Sequence, residues 1–245
     1  MKRIIYAASL LLCLSVLFSS CEKSGTENGK DDEGGTDAFG AVDLGLSVKW
    51  ASCNLGASKP SEVGDFYRWG DTTPWKEGSG FEDYKFYTGR SFENLYATNS
   101  GNYVLIFSKY NLHPEDDVCT DNKTTLDPED DAAHVKLGGR WRIPTSKELS
   151  ELCKNCTYTE EILDGQRGFV FKSSKNGNTI FLPIDEAYGD WETYYMSSSL
   201  YTTNYYWFVQ EQEFAWCLPI VHGKYDMGVG REKRYSTFTI RPVCD

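Results

Sequence analysis

The rhythm of apolar and polar positions changes along this chain. From Ile4 to Phe18 the residues are apolar apart from Tyr6, Ser9 and Ser15, behind Lys2 and Arg3 and ahead of Ser19-Ser20. That order of basic, apolar and small residues predicts a secretory signal over 1–20, and the run is short for a bilayer span. Residues 22–40 (EKSGTENGKDDEGGTDAFG) hold no apolar run. Such a segment cannot bury enough surface to offset its ordering entropy, so it reads as an acidic tether. Beyond Ala41, short runs of Val, Ile, Phe and Leu are bounded by Gly, Asn and Ser, as in VDLGLSVKWASCNLG. Phe169-Val170-Phe171, Asn176-Gly177-Asn178 and Ile180-Phe181-Leu182 predict a hairpin. Tyr206–Val209, Thr237–Val243 and Trp216–Val221 are further strand candidates, the last pushed toward a sheet edge by Pro219.

Helical spacing is rare. Thr145-Ser146-Lys147-Glu148 is a capping box after Pro144, and Leu149, Leu152, Cys153 and Cys156 recur at helical intervals, predicting a helix from Ser146 to about Asn155. Asp127 ahead of Pro128 and Glu129-Asp130 predicts a short helix from Pro128 to about Val135. The pattern as a whole predicts one α+β domain over 41–245, with few short helices, short antiparallel strands and long loops.

Charge narrows the partners. The chain carries a formal −11, and loss of Lys2 and Arg3 with the signal takes it to −13. An acidic domain repels nucleic acid and anionic membrane surfaces, so no nucleic acid is expected. Of the 8 cysteines, Cys13 leaves with the signal and Cys21 stands at its end. Cys53, Cys119, Cys153, Cys156, Cys217 and Cys244 remain, an even set that in an exported chain predicts disulfides, with the pairing open. Cys153-x-x-Cys156 has redox or zinc spacing, but no spaced histidines accompany it.

Two resemblances add to this. Small residues running into Cys21 resemble a bacterial lipobox, which implies cleavage before Cys21, a lipid on its sulfur, and a membrane attachment made by the lipid alone. The acidic stretch after it resembles the surface-export signal of Bacteroidetes lipoproteins, implying an outer-membrane, surface-exposed location. Over 41–244, the phrases VDLGLSVKWA (42–51), CNLGA (53–57), YRWGD (67–71), TLDPEDDAA (125–133), GGRWRIPT (138–145), NTIFLP (178–183) and IRPV (240–243) resemble the Fibrobacter succinogenes major paralogous domain. That family is similar to the C-type-lectin-like superfamily, which also contains the formylglycine-generating enzymes. The resemblance implies first and last strands that pair, two helices and a long-loop region. The chain departs from the family at Met196, before Ser197-Ser198-Ser199, and at Ile184-Asp185-Glu186-Ala187.

Candidate chemistry is sparse. Glu115-Asp116-Asp117, Asp121 and Asp127 to Asp131 form an acidic run, and calcium takes six to eight oxygens of this type. Asp127, Glu129, Asp130 and Asp131 are therefore the candidate metal ligands, set against a plain helix start in a solvated loop. No calcium-and-sugar triplet of C-type lectins (Glu-Pro-Asn, Gln-Pro-Asp, Trp-Asn-Asp) is present, and no cofactor is expected. Arg140, Arg142 and Arg241 read as structural, each pairing with a carboxylate to tie loops together, with Asp130 or Asp131 as candidate partners. The chain holds 7 Trp, 16 Tyr and 13 Phe. Trp50, Trp69, Trp141 and Trp207 are assigned to the core, while Trp75, Trp191, Tyr194 and Tyr201 are the surface candidates for stacking on a glycan or a protein partner. No hydrolase, phosphate-loop or metalloprotease motif appears. Cys217 and Cys244 are the only pair near the C-terminal end that a formylglycine-type activity would use. Asp71-Thr72-Thr73 resembles a Bacteroidetes O-glycosylation acceptor. The expected function is glycan binding or adhesion without catalysis, with a structural or protein-binding surface module and a degenerate relative of the formylglycine-generating enzymes as alternatives.

Overall fold

In the computed structural model, which describes residues 40–91, 104–112, 121–186, 192–202, 212–224 and 226–245, both ends of the domain meet in one sheet. Strand β1 (Ala41–Val42) pairs with β2 (Lys49–Ala51), and β2 also takes β11 (Val243–Cys244), with Trp50 opposite both Val42 and Val243. Strands β3 (Tyr87–Ser91) and β4 (Val104–Phe107) form a separate ribbon. Helix α1 (Ala132–Leu137) precedes helix α2 (Ser146–Asn155). Next come β5 (Cys156–Leu163), β6 (Gln166–Ser173) and β7 (Thr179–Pro183), in spatial order 5-6-7. Strands β8 (Glu192–Leu200), β9 (Phe214–Val221) and β10 (Gly230–Lys233) complete the set, with β9 central. The described residues are thus mostly small antiparallel sheets with two short α-helices, an α+β fold.

Local sequence explains several of these elements. Thr145 Oγ1 accepts from the Glu148 N–H, and Glu148 returns the bond to the Thr145 N–H at 2.7 Å, so the predicted capping box starts α2. The predicted hairpin is β6–β7, with Phe169 opposite Leu182 and Phe171 opposite Ile180. The β5–β6 hairpin went unread. Its loop is Asp164-Gly165, both at positive φ (51° and 85°), the two-residue turn that an Asp-Gly pair favours.

Three expectations need correction. The helix expected from Pro128 divides into a 3-10 turn (Pro128–Asp130) and α1, because Asp131, not Asp127, supplies the capping side chain, accepting from the His134 N–H. Pro219 lies in the central strand β9, not at an edge. Strand β10 reaches only from Phe214 to Cys217, so at Pro219 the missing N–H faces no ladder. Thr237–Val243 is not one strand: Phe238 bridges Tyr67, Thr239 bridges Tyr195, and only Val243 and Cys244 join a ladder. Changing partners every residue or two, with Pro242 lacking a donor, prevents a continuous pairing. The candidate strand Tyr206–Val209 lies outside the described residues.

Strands β8 and β9 act as a wall between two cores. Met196, Ala215 and Cys217 face the first, beside Trp69, Tyr84, Phe86, Phe107 and Tyr110. Tyr195, Leu218 and Ile220 face the second, beside Trp50, Phe169, Phe171 and Leu152. Trp50 and Trp69 are fully buried as expected, Trp141 is only half-buried, and Trp207 lies outside the described residues. The serine run is structural: Ser198 N–H donates to Pro144 O at 2.8 Å and Ser199 Oγ accepts from Ser146 N–H at 3.1 Å, tying β8 to the start of α2. Among the described residues, no helix is long and apolar enough to cross a membrane.

Candidate functional site

The acidic run does gather, but lysines fill it. Ligand oxygens of Asp127, Glu129 and Asp130 lie within 4.8 Å of one another. Lys109 Nζ sits among them, 2.5 Å from Asp127, 2.5 Å from Asp130 and 3.2 Å from Glu129. Lys123 pairs with Asp127 at 2.6 Å and Lys85 with Asp130 at 2.5 Å. Tyr110 hydroxyl donates to Asp130 at 2.6 Å and accepts from the Asp127 N–H at 2.8 Å. Burial pushes the Asp130 pKa up, but hydrogen bonds from Lys109, Lys85 and Tyr110 outweigh it and hold the carboxyl below its ordinary range. Asp127 is held low by Lys109 and then Lys123. Asp131 stands apart from this group. Its two oxygens accept from the His134 N–H at 2.9 Å and the Ile143 N–H at 2.8 Å, and burial raises its pKa. Glu115, Asp116 and Asp117 lie outside the described residues.

Arg142 pairs with carboxylates as expected, but with Glu148 and Asp245 in place of the candidates Asp130 and Asp131, which among the described residues no arginine uses. Arg142 makes a two-point bridge to Glu148 at 2.9 and 2.7 Å, and Arg140 is exposed. Arg241 is buried and donates to Asn54 Oδ1 and to the carbonyls of Ala51, Ser52 and Phe181. Carbonyl groups neutralise nothing but satisfy the guanidinium edge, so a carboxylate partner is not needed to seat it. Sequence reading missed Arg234 altogether. It is fully buried, 3.7 Å from the Phe107 ring centroid and within 6 Å of Trp69, Tyr84 and Phe86, with donors on Tyr110 O and Lys109 O.

The cysteines at Cys53, Cys153, Cys156, Cys217 and Cys244 are free thiols, so the expected bridges do not occur among them, and Cys119 lies outside the described residues. Cys153 and Cys156 straddle the end of α2, where an i,i+3 separation of roughly 5–6 Å between Cβ atoms exceeds the roughly 3.5–4.5 Å that a bridge needs. Burial pushes Cys153 up to about 12 and Cys156 up to about 11, which leaves both as thiols at neutral pH. Thiolates, not thiols, do redox and zinc chemistry.

Of the four aromatic candidates, Trp191 lies outside the described residues, as does Cys21. Trp75 is half-buried in the loop after β2, its backbone N–H donating to Phe66 O at 2.7 Å. Tyr194 packs against the first core, and burial raises its pKa ahead of its bond to Glu192. Tyr201 follows β8, seven residues and on the order of 20 Å of strand from Tyr194. There it meets Trp216 at 4.7 Å and Phe214 at 6.4 Å between ring centroids. Arg231 of β10 lies opposite Trp216 in register, its guanidinium carbon 4.7 Å from the Tyr201 ring and 4.8 Å from the Phe214 ring. All three rings are half-buried and Arg231 is exposed. They share the face that carries Leu218 and Ile220 further along β9, but the second core ends before reaching them. The result is a ledge of tilted rings carrying one cation. Of this group only Tyr201 is among the candidates named from the sequence; the alternation in FAWC (214–217) is the signal that could have added Phe214 and Trp216.

Known proteins give no further guide. No family model matches the chain, and no curated protein or solved structure matches it.

Proposed function

We propose that this chain is an outer-membrane lipoprotein, anchored through Cys21 and exposed at the surface, whose domain is C-type-lectin-like and binds glycan without catalysing a reaction. The observation that carries the binding role is the Tyr201–Phe214–Trp216 ledge. Half-exposed rings with polar tips present flat faces to sugar C–H groups, and leaving them unused costs apolar surface in water. The finer fold assignment is supported by the N-terminal strand β2 lying beside the C-terminal β11 and by the two short helices. The anchor rests on the signal pattern and the small residues before Cys21.

A degenerate enzyme fits less well. Cys217 is buried in the first core, where burial holds it as a thiol, and Cys244 belongs to a different sheet. A protein-binding module is the second reading, favoured by Ile162 and Leu163, which expose 63% and 38% of their surface at the β5–β6 hairpin tip. A glycan array probed with a soluble 41–245 fragment separates the two. Binding that Trp216→Ala and Tyr201→Ala abolish supports the glycan role; an empty array, with loss of partner capture in Ile162→Ser, supports the other. Cys21→Ser should release the protein from membranes or leave it uncleaved, and a mutant that fractionates like the wild type overturns the anchor.

A further inference from the structure

We infer that the aromatic ledge selects a carboxylated sugar, with Arg231 taking the carboxylate while Trp216 and Tyr201 stack on the ring; this rests on the glycan reading of the same site. The argument starts from charge. The chain is strongly acidic at −11, yet this face of β10 carries Arg231 and Lys233, opposite Trp216 and Phe214. Among the described residues, no carboxylate pairs with Arg231. Glu232 lies between the two cations in sequence, but strand alternation turns it to the other face, where it accepts from Ser236 Oγ at 3.0 Å. It also accepts from the Lys233 N–H at 2.8 Å.

Arg231 is also held in place. Its guanidinium rests against Tyr201 and Phe214 at 4.7 and 4.8 Å. Attraction to a ring face uses the charge of a guanidinium and none of its five N–H donors, which remain to find acceptors elsewhere. A guanidinium fork held beside these rings, with its donors unused, matches the two oxygens of a carboxylate. Tyr201 and Trp216 meet the same patch at 55° to each other, a shape that fits a non-planar sugar ring better than a flat aromatic ligand. Lys233, with its ammonium 5.5 Å from the Tyr235 ring, adds a second positive charge along the strand.

The test uses the full-length chain purified in detergent. Its probes are uronate- and sialate-bearing oligosaccharides, each beside its carboxyl-reduced form and beside a sulfated oligosaccharide. Carboxyl reduction should weaken binding about tenfold or more, the scale of a hydrogen-bonded charge. Arg231→Gln should erase that preference while keeping the residual neutral binding. Arg231→Lys should recover only part of it, since charge returns without the fork. Trp216→Ala should abolish both, and an unchanged unfolding midpoint in Arg231→Gln keeps the result from being a folding effect. If neutral and acidic probes bind alike, or sulfated probes bind as tightly as carboxylated ones, the selection is overturned while the glycan reading stands. If no probe binds the wild-type chain, both fall.

Discussion

Arg231 and Arg234 lie three residues apart, and each places its guanidinium on aromatic rings. Arg234 turns into the first core, where Phe107, Trp69, Tyr84 and Phe86 surround it and two carbonyls take its donors. Arg231 stays exposed on the strand face, its guanidinium carbon 4.7 and 4.8 Å from the Tyr201 and Phe214 ring centroids. The same attraction between cation and ring serves two ends. In the core the rings and the carbonyls of Lys109 and Tyr110 hold the guanidinium without a paired carboxylate, while its Nε has no partner among the described residues and burial lowers its pKa. On the ledge the attraction orients a cation and leaves its hydrogen-bonding capacity open. The loop that Arg234 fixes is the one that aims Lys109 and Tyr110 at Asp130, so the buried arginine and the filled acidic cluster form one structural unit. Inside, the charge ties two loop carbonyls to the core; at the ledge, the donors stay open for the proposed carboxylate.

Several substitutions break or sharpen that contrast. Arg234→Met should cost the most, about 3–5 kcal/mol in urea unfolding, because two buried carbonyls lose their donor and the ring cage loses its contents. A cost near zero would remove the contrast. Asp130→Asn should cost about 2–3 kcal/mol at neutral pH, since Lys85 and Lys109 lose a buried partner. The pH dependence has a definite sign. A carboxyl held low in the folded state stabilises above its unfolded value, near 3.8, and loses that contribution as pH falls through the folded value. The gap between wild type and Asp130→Asn should therefore close in acid, and a gap that stays constant with pH would assign the cost to packing. Thr145→Ala calibrates the middle of the scale at about 1 kcal/mol, the usual loss of an N-cap oxygen; an unchanged midpoint would show that the cap adds nothing. Arg231→Gln should move stability least, within about 0.5 kcal/mol, and a larger loss would make Arg231 a second structural arginine.

How much was legible in the sequence follows the range of the forces involved. The α2 start was readable because Thr145 and Glu148 are three residues apart and satisfy each other's backbone. The β6–β7 hairpin was readable because its apolar runs and Asn-Gly turn are contiguous. The Asp164-Gly165 turn was equally local and equally readable, although the strand before it carries a mostly exposed face that blurs the alternation. Asp130 was identified as part of an acidic cluster, but its occupants, Lys85, Lys109 and Tyr110, come from 20 to 45 positions away.

By itself the sequence determined the α+β class, the capping box that starts α2 and the β6–β7 hairpin, because each depends on residues within one turn of helix or one hairpin. Only the tertiary structure decided which arginine is buried and which is presented, which carboxylates meet lysines, and where a stretch of aromatics leaves the core. Those outcomes depend on where the wall of β8 and β9 ends relative to the two cores it divides. That boundary is set by long-range packing, which no local spacing encodes.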